Sequence, residues 1–247
     1  MKRVVLVFSF MFTLACSLSA ITADEYYNRG VDKHLKGDLN GAIEDYNRAI
    51  GLKPDYAEAF NGRGVAKGNL GDYGGEIADY DEAIRLRPDY AKAFYNRGNA
   101  KADLEDYKGA IADYDEAIRL RPDYAKAFYN CGNAKYELED YKGAIADYDR
   151  AIELFGVDNP KAAFVFSNRG YAKYKLKDNE GAIEDYDRAI ELFGNDDPDA
   201  AEVYNNRSDA KKELGDSNGA SEDKTDAIIK ALDQKYREIM DEIEKDK

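Results

Sequence analysis

Comparing the chain with itself constrains its fold more than any other feature. Gly30, Gly64, Gly98 and Gly132 stand 34 residues apart, Gly170 follows after 38, and Ser208 after another 38. Around these points one text recurs: YYNRGVDK, FNGRGVAK, FYNRGNAK, FYNCGNAK, FSNRGYAK and YNNRSDAK. About 16 residues further on comes a second block, reading IEDYNRAI, IADYDEAI, IADYDEAI, IADYDRAI, IEDYDRAI and the degenerate SEDKTDAI. A unit this short has no core of its own and must bury its apolar face on its neighbours. Two helical patterns per unit therefore predict an all-α solenoid.

Within the third unit, the spacing predicts a first helix over about Ala91–Leu104. Phe94, Gly98, Ala100 and Leu104 lie on its apolar face. A turn at Glu105-Asp106-Tyr107 follows. A second helix over about Lys108–Leu120 offers Ala110, Ile111, Tyr114, Ala117 and Ile118 at helical spacing. Pro122 blocks continuation, and Asp123 and Tyr124 complete the link. Small residues let the helices approach, and Phe94 and Tyr114 fill the space between them.

These residues resemble the tetratricopeptide repeat family over about Ala23 to Lys230. The family's first-helix aromatic matches Tyr26, Phe60, Phe94, Phe128, Phe166 and Tyr204, and its small residue four further on matches the Gly series. Its small residue early in the second helix matches Ala42, Ala110, Ala144, Ala182 and Ala220. Its later Ala matches Ala49, Ala83, Ala117, Ala151, Ala189 and Ala227, and its breaker matches Pro54, Pro88 and Pro122. The resemblance implies a right-handed α-α superhelix over residues 24–230, with five good units and an eroded sixth. It also implies that first helices line a concave groove and that the partner is a protein or peptide.

Three departures stand out. Glu76 replaces the early Ala of the second unit, either turned outward or paired. Four extra residues fall around Phe155–Lys161 and again around Phe193–Asp199, and are expected to lengthen a helix or linker. The sixth unit carries Ser208, Ser221 and Lys224 where Gly, Ile and Tyr recur, as suits a terminal repeat with a polar face. From there residues 219–247 read as one helix, with Ile228, Leu232, Ile239 and Ile243 near one stripe and Tyr236 alongside. That stripe caps the last repeat or serves self-association.

Two charge series keep the repeat register. Arg29, Arg63, Arg97, Arg169 and Arg207 precede the Gly or Ser, and Asp45, Asp79, Asp113, Asp147, Asp185 and Asp223 lie on the second helices. A bidentate Arg–Asp pair in each unit, or across neighbours, is expected; a ligand-binding Arg row is the competing reading. Cys131 replaces the Arg of unit four, leaving Asp147 without that partner. Lys33, Lys67, Lys101, Lys135, Lys173 and Lys211 form a row expected to be solvated or ion-paired.

The resemblance places the residue two before the Gly in the groove. Here these are Asn28, Gly62, Asn96, Asn130, Asn168 and Asn206, beside Tyr27, Tyr95 and Tyr129, with Asn99, Asn133 and Tyr171 nearby. Asn carries a donor and an acceptor and can bond a peptide backbone without reading its sequence. The Asn row is similar to the peptide-holding ladder of O-GlcNAc transferase. Alternatively, these Asn hold the register of the array. The carboxylate clamp of chaperone adaptors does not carry over, because Tyr27, Tyr95 and Tyr129 stand where it needs Lys.

Composition narrows the function classes. The 247 residues carry a net charge of −14, whereas nucleic-acid binding needs a basic face. One His (His34) and two Cys (Cys16, Cys131) do not build a zinc site of the usual type. The NGRGVAKG stretch at Asn61–Gly68 lacks the strand before it and the Ser/Thr after it that a phosphate loop needs. No enzyme activity and no cofactor are expected.

Residues 1–23 read as a secretory signal: Lys2 and Arg3, an apolar run Val4–Ala15, then small residues. That run spans about 18 Å as a helix, short of the roughly 30 Å hydrocarbon core. Cleavage after Ala20 or Ala23 is one outcome. The alternative is lipidation at Cys16, in a Thr13-Leu14-Ala15-Cys16-Ser17 stretch similar to a lipoprotein box. The expected chain is an exported interaction scaffold, periplasmic, envelope-bound or secreted, touching membrane only through such an anchor. The alternative function is an envelope assembly protein joined through its C-terminal helix.

Overall fold

A computed structural model describes residues 21–194 and 197–245, which form twelve α-helices and no strand. Repeat one pairs α1 (Ala23–Leu35) with α2 (Leu39–Leu52), and repeat two pairs α3 (Ala57–Asn69) with α4 (Tyr73–Leu86). Repeats three and four are α5 (Ala91–Asp103) with α6 (Tyr107–Leu120), and α7 (Ala125–Glu137) with α8 (Tyr141–Phe155). Repeats five and six are α9 (Ala162–Lys175) with α10 (Asn179–Phe193), and α11 (Ala200–Glu213) with α12 (Ser217–Lys245). Each helix packs on the next. Odd helices also touch the odd helix of the next repeat, whereas no two even helices touch among the described residues. The first helices therefore line the inner face and the second helices the outer. Residues 1–20, with Cys16 and most of the expected signal, lie outside the described residues.

The recurring Gly and Tyr explain each other. A Cβ at Gly98 would sit 2.7 Å from Tyr114 Cε1, closer than real contacts allow. The same holds between Gly30 and Tyr46, Gly64 and Tyr80, Gly132 and Tyr148, and Gly170 and Tyr186. Repeat six changes both partners together: with Lys224 in place of the Tyr, Ser208 fits, and its hydroxyl donates to Ala220 O at 2.7 Å. Second helices begin where Asp38, Asp72, Asp106, Asp140, Asp178 and Asp216 accept the backbone N–H three residues on, as N-caps do. Leu104, expected on the apolar face of α5, instead stands just past its end and is 49% exposed.

The charge series closes the outer seam. Arg97 grips Asp113 through Nε (2.9 Å) and Nη2 (2.5 Å), and Lys101 adds a third contact at 2.7 Å. Repeats one, two, five and six repeat this triad on Asp45, Asp79, Asp185 and Asp223. The Arg29 guanidinium, with Lys33, holds the Asp45 carboxyl at about 2. The free Nη1 reaches back one repeat, from Arg63 to Asn47, Arg97 to Asp81, Arg169 to Asp149 and Arg207 to Asp187. In repeat four, Cys131 is buried beside Asp115, and Asp147 pairs with Lys135, at 2.7 Å, without an Arg.

Glu76 points inward. It is buried and accepts a hydrogen bond from Tyr80 at 3.0 Å, in space left by Gly68, where a Cβ would meet its carboxyl at 2.5 Å. Desolvation raises its pKa, and Asp103 and Asp72 add to the effect.

α12 serves two ends. Ala220, Asp223 and Ala227 are buried against α11, so its first turns complete and cap the array. Further along, Ile228, Leu232 and Tyr236 are more than half exposed. The side chains of Ile239 and Ile243 lie outside the described residues.

Candidate functional site

The site arises where the array changes its junctions. Three junctions are short turns, Lys53–Tyr56, Arg87–Tyr90 and Arg121–Tyr124, each reading Lys/Arg-Pro-Asp-Tyr. The Tyr folds back into the seam under its own cation, 3.2 Å above the ring for Arg121 over Tyr124. At the first and third junctions it also meets the first-helix Tyr of the preceding repeat; the second repeat has Asn61 at that place. Tyr56 lies 5.1 Å from Tyr27, and Tyr124 lies 4.8 Å from Tyr95.

The fourth junction lacks this plug. Gly156–Lys161 is six residues long, and no Tyr stands in it to cover Tyr129. The four inserted residues divide into one at the end of α8, two in the linker and one at the start of α9. The linker is nevertheless held: Asn159 Nδ2 donates to Phe155 O (3.0 Å), and Lys161 N donates to Asn159 Oδ1 (3.0 Å). Arg188 on α10 donates to Val157 O at 3.0 Å and pairs with Asp158.

Beside Tyr129, half-buried like Tyr95 but with no junction ring against it, opens a cleft of about 780 Å³. Its apolar walls come from Phe155, Pro160, Phe164, Val165, Leu192 and Phe193, with Tyr95, Tyr129 and Asn130 on the groove side. Lys126, Lys161 and Asp197 supply its charge. Phe164 is 47% exposed and meets Phe193 edge-on at 4.9 Å.

Smaller hollows continue along the inner face. One of about 380 Å³ lies between Asn99, Tyr107, Asn130 and Asn133. Another of about 280 Å³ lies between Asn133, Tyr136, Asn168 and Tyr171. A third of about 330 Å³ includes Phe164, Asn168, Tyr171, Phe193, Asn206 and Gln234. Shared walls at Asn130, Asn133, Asn168 and Phe164 make these one track over repeats three to six.

The Asn row is thus partly gathered and partly committed. Asn130 Nδ2 donates to Tyr95 Oη (3.1 Å) and Asn99 Oδ1 (2.8 Å), and Asn168 Nδ2 donates to Tyr129 Oη (3.0 Å) and Asn133 Oδ1 (3.0 Å). Asn99 and Asn133 also accept from the buried Tyr114 and Tyr148 hydroxyls, at 2.9 and 2.8 Å. Burial pushes these hydroxyls up, so they remain donors at neutral pH. The amide donors therefore hold repeat to repeat while the same residues line the track. Asn96 makes a similar bond to Asn61, at 2.9 Å. Asn28 is exposed at the far end, on α1, apart from this cluster.

Repeat five breaks the pattern by placing Tyr171 where Asn99 and Asn133 stand. The buried Tyr186 hydroxyl consequently has no hydrogen-bond partner among the described residues. Tyr171 instead stacks on Tyr136 at 5.5 Å, beside Tyr174 at 6.3 Å. Tyr171, Tyr95, Tyr129 and Asn130 were among the expected groove residues; Tyr136, Tyr174 and the Phe walls of the cleft were not. The loss of the Pro-Asp-Tyr text at the 38-residue spacings is the signal that marks the cleft.

A family model described as TPR repeat matches residues 33–71, 69–104 and 98–138, and one described as Tetratricopeptide repeat matches 125–156 and 165–196. Together they span more than half of the chain and stop short of repeat six, which packs like the others. No curated protein matches the chain in sequence. Among solved structures, PilF of Pseudomonas aeruginosa superposes with a TM-score of 0.71 at 19% identity, over 89% of this chain and 97% of that one. MamA from Desulfovibrio magneticus RS-1 gives 0.63 at 23%, over 70% and 97%. YrrB, described as a TPR protein with an unusual peptide-binding site, gives 0.65 at 24%, over 77% and 94%. These likenesses are to the fold, and with the family matches they agree with the helix pairs and seams above: the chain belongs to the tetratricopeptide repeat family.

Proposed function

We propose that the chain is an exported scaffold that holds an extended segment of a partner protein along its inner groove over repeats three to six. The observation that carries this is the track itself. Hollows with shared walls run beside one another, lined by Asn and Tyr that offer acceptors and flat contact area, and widen into an apolar cleft. A groove so built favours main-chain contact with anchoring side chains. YrrB, with its described peptide-binding site, is a precedent on this fold. The test is selection from a random peptide library on the intact chain. Selected peptides should bind in the micromolar range and lose about tenfold or more on Tyr171→Ala, with helicity unchanged by circular dichroism. Binders indifferent to that change would move the site off the groove.

Export rests on the sequence of residues 1–23, and the fold bears on where maturation falls. Thr22 and Glu25 form a reciprocal capping box at the start of α1, with bonds of 2.7 and 3.2 Å. Cleavage after Ala20 keeps that box, and cleavage after Ala23 removes it. A chain starting at Ile21 should therefore be about 1 kcal/mol more stable than one starting at Asp24. Intact mass of the mature protein distinguishes these products from a lipid-modified Cys16.

A second reading, self-association through α12, is favoured by the exposure of Ile228 (61%), Leu232 (61%) and Tyr236 (66%). Light scattering at high concentration should then show a dimer or larger species, abolished by Leu232→Glu. A monomer throughout would remove this reading.

A further inference from the structure

Resting on the groove reading above, we infer that the cleft at the fourth junction takes a large apolar side chain, aromatic by preference, flanked by acidic side chains in an extended partner segment. Phe164 is an aromatic left 47% exposed at the mouth of a cavity whose other walls are Phe155, Pro160, Val165, Leu192 and Phe193. It presents its ring next to Phe193 in an edge-on pair, an arrangement that a third ring extends. The walls are ordered in advance by Asn159 and Arg188, which reduces what binding must immobilise.

The charge points the same way. The chain is strongly acidic, at −14, yet the charged lining of this cleft is Lys126 and Lys161 against Asp197. The six lysines of the outer seam are each bound to an Asp. Lys126 and Lys161 form no ion pair with a described residue and remain available to a partner's carboxylates.

The test is fluorescence anisotropy at low salt, using the intact chain and labelled nonapeptides in a Gly/Ser background. Their centres read Asp-Phe-Asp, Asp-Ala-Asp, Asn-Phe-Asn and Lys-Phe-Lys, each made with an amidated and a free C-terminus. The Asp-Phe-Asp peptide should bind at least about tenfold more tightly than the Ala and Lys versions, whichever its C-terminus. Phe164→Ala should erase the Phe/Ala difference. Lys126→Gln with Lys161→Gln should erase the Asp/Asn difference, and neither variant should shift the melting temperature by more than a few degrees. Equal binding of Phe and Ala peptides, a preference for Lys-Phe-Lys, or binding that needs the free C-terminus would each overturn the inference. So would no binding by any of the set. Library peptides still lost on Tyr171→Ala would, in that case, leave the groove reading standing.

Discussion

The junctions after α6 and after α8 join the same two kinds of helix, and they do opposite things. At Arg121–Tyr124 a four-residue turn drives Tyr124 into the seam, against Tyr95 and under Arg121. At Gly156–Lys161 six residues swing wide, bring no ring against Tyr129, and put Phe155, Pro160 and Phe164 around an open cleft. The Arg–Asp pairs inside the flanking repeats do not register the difference. Arg97 on Asp113 and Arg169 on Asp185 have the same bidentate geometry in repeats three and five. A solenoid can thus change its ligand-facing wall at one junction while the pairing that joins the two helices within each flanking repeat stays fixed.

The largest effect should separate the two junctions directly. Tyr124→Ala removes a ring that is only 9% exposed and should cost about 3 kcal/mol in urea unfolding. Phe164→Ala removes a ring that is 47% exposed and should cost under about 1 kcal/mol. Equal costs would mean that the long junction is as closed as the short one.

Next come the seam pairs, which should ignore junction length. Arg97→Ala and Arg169→Ala should each cost about 2 kcal/mol, since each leaves a buried Asp with one Lys. Acid should undo this seam. The folded Asp45 carboxyl titrates at about 2, below its unfolded value of roughly 3.9. Its contribution is therefore full above about pH 4 and is lost as pH falls through about 2. Asp45→Asn should flatten the stability profile across that window.

Glu76→Gln should stabilise the chain by about 1 kcal/mol at pH 7, because burial disfavours the ionised carboxyl and Gln keeps an acceptor for Tyr80. The sign follows from the raised pKa: the wild type gains stability as pH falls and Glu76 protonates, so the advantage should fade in acid. The smallest effect belongs to the turns within repeats. Glu139 holds a left-handed φ of 60°, and Glu139→Gly should gain about 0.5 kcal/mol in thermal melts.

The sequence made the scaffold readable because each scaffold contact is local or recurs at one spacing. Helix ends follow from Asp-x-x-Gly and Pro, the Gly–Tyr contact from a 16-residue interval present in five copies, and the Arg–Asp pairs from the same interval. The third Arg bond, from Arg97 to Asp81, crosses between repeats and was not specified beyond a possible pairing with neighbours. In the Asn row, Asn130 and Asn168 bond the preceding repeat and also line the track on which the peptide-holding proposal rests. The cleft was not readable. Its inserted text recurs only once, FGVDNPKAA at 155–163 and FGNDDPDAA at 193–201, and the placement of the first copy depends on Arg188, about 30 residues away, gripping Val157 and Asp158. Exposure of Ile228, Leu232 and Tyr236 likewise follows from where α11 ends beneath α12, which no residue pattern states.

One chimera tests the contrast between junctions most directly. Replacing residues 155–162 by Arg-Pro-Asp-Tyr, the text of 121–124, restores the 34-residue spacing and supplies a Tyr to cover Tyr129. Affinity of library-selected peptides for this chimera is the measurement, with circular dichroism confirming that the helices persist. The account predicts at least about a tenfold loss relative to the natural chain. Unchanged affinity on a folded chimera would contradict it.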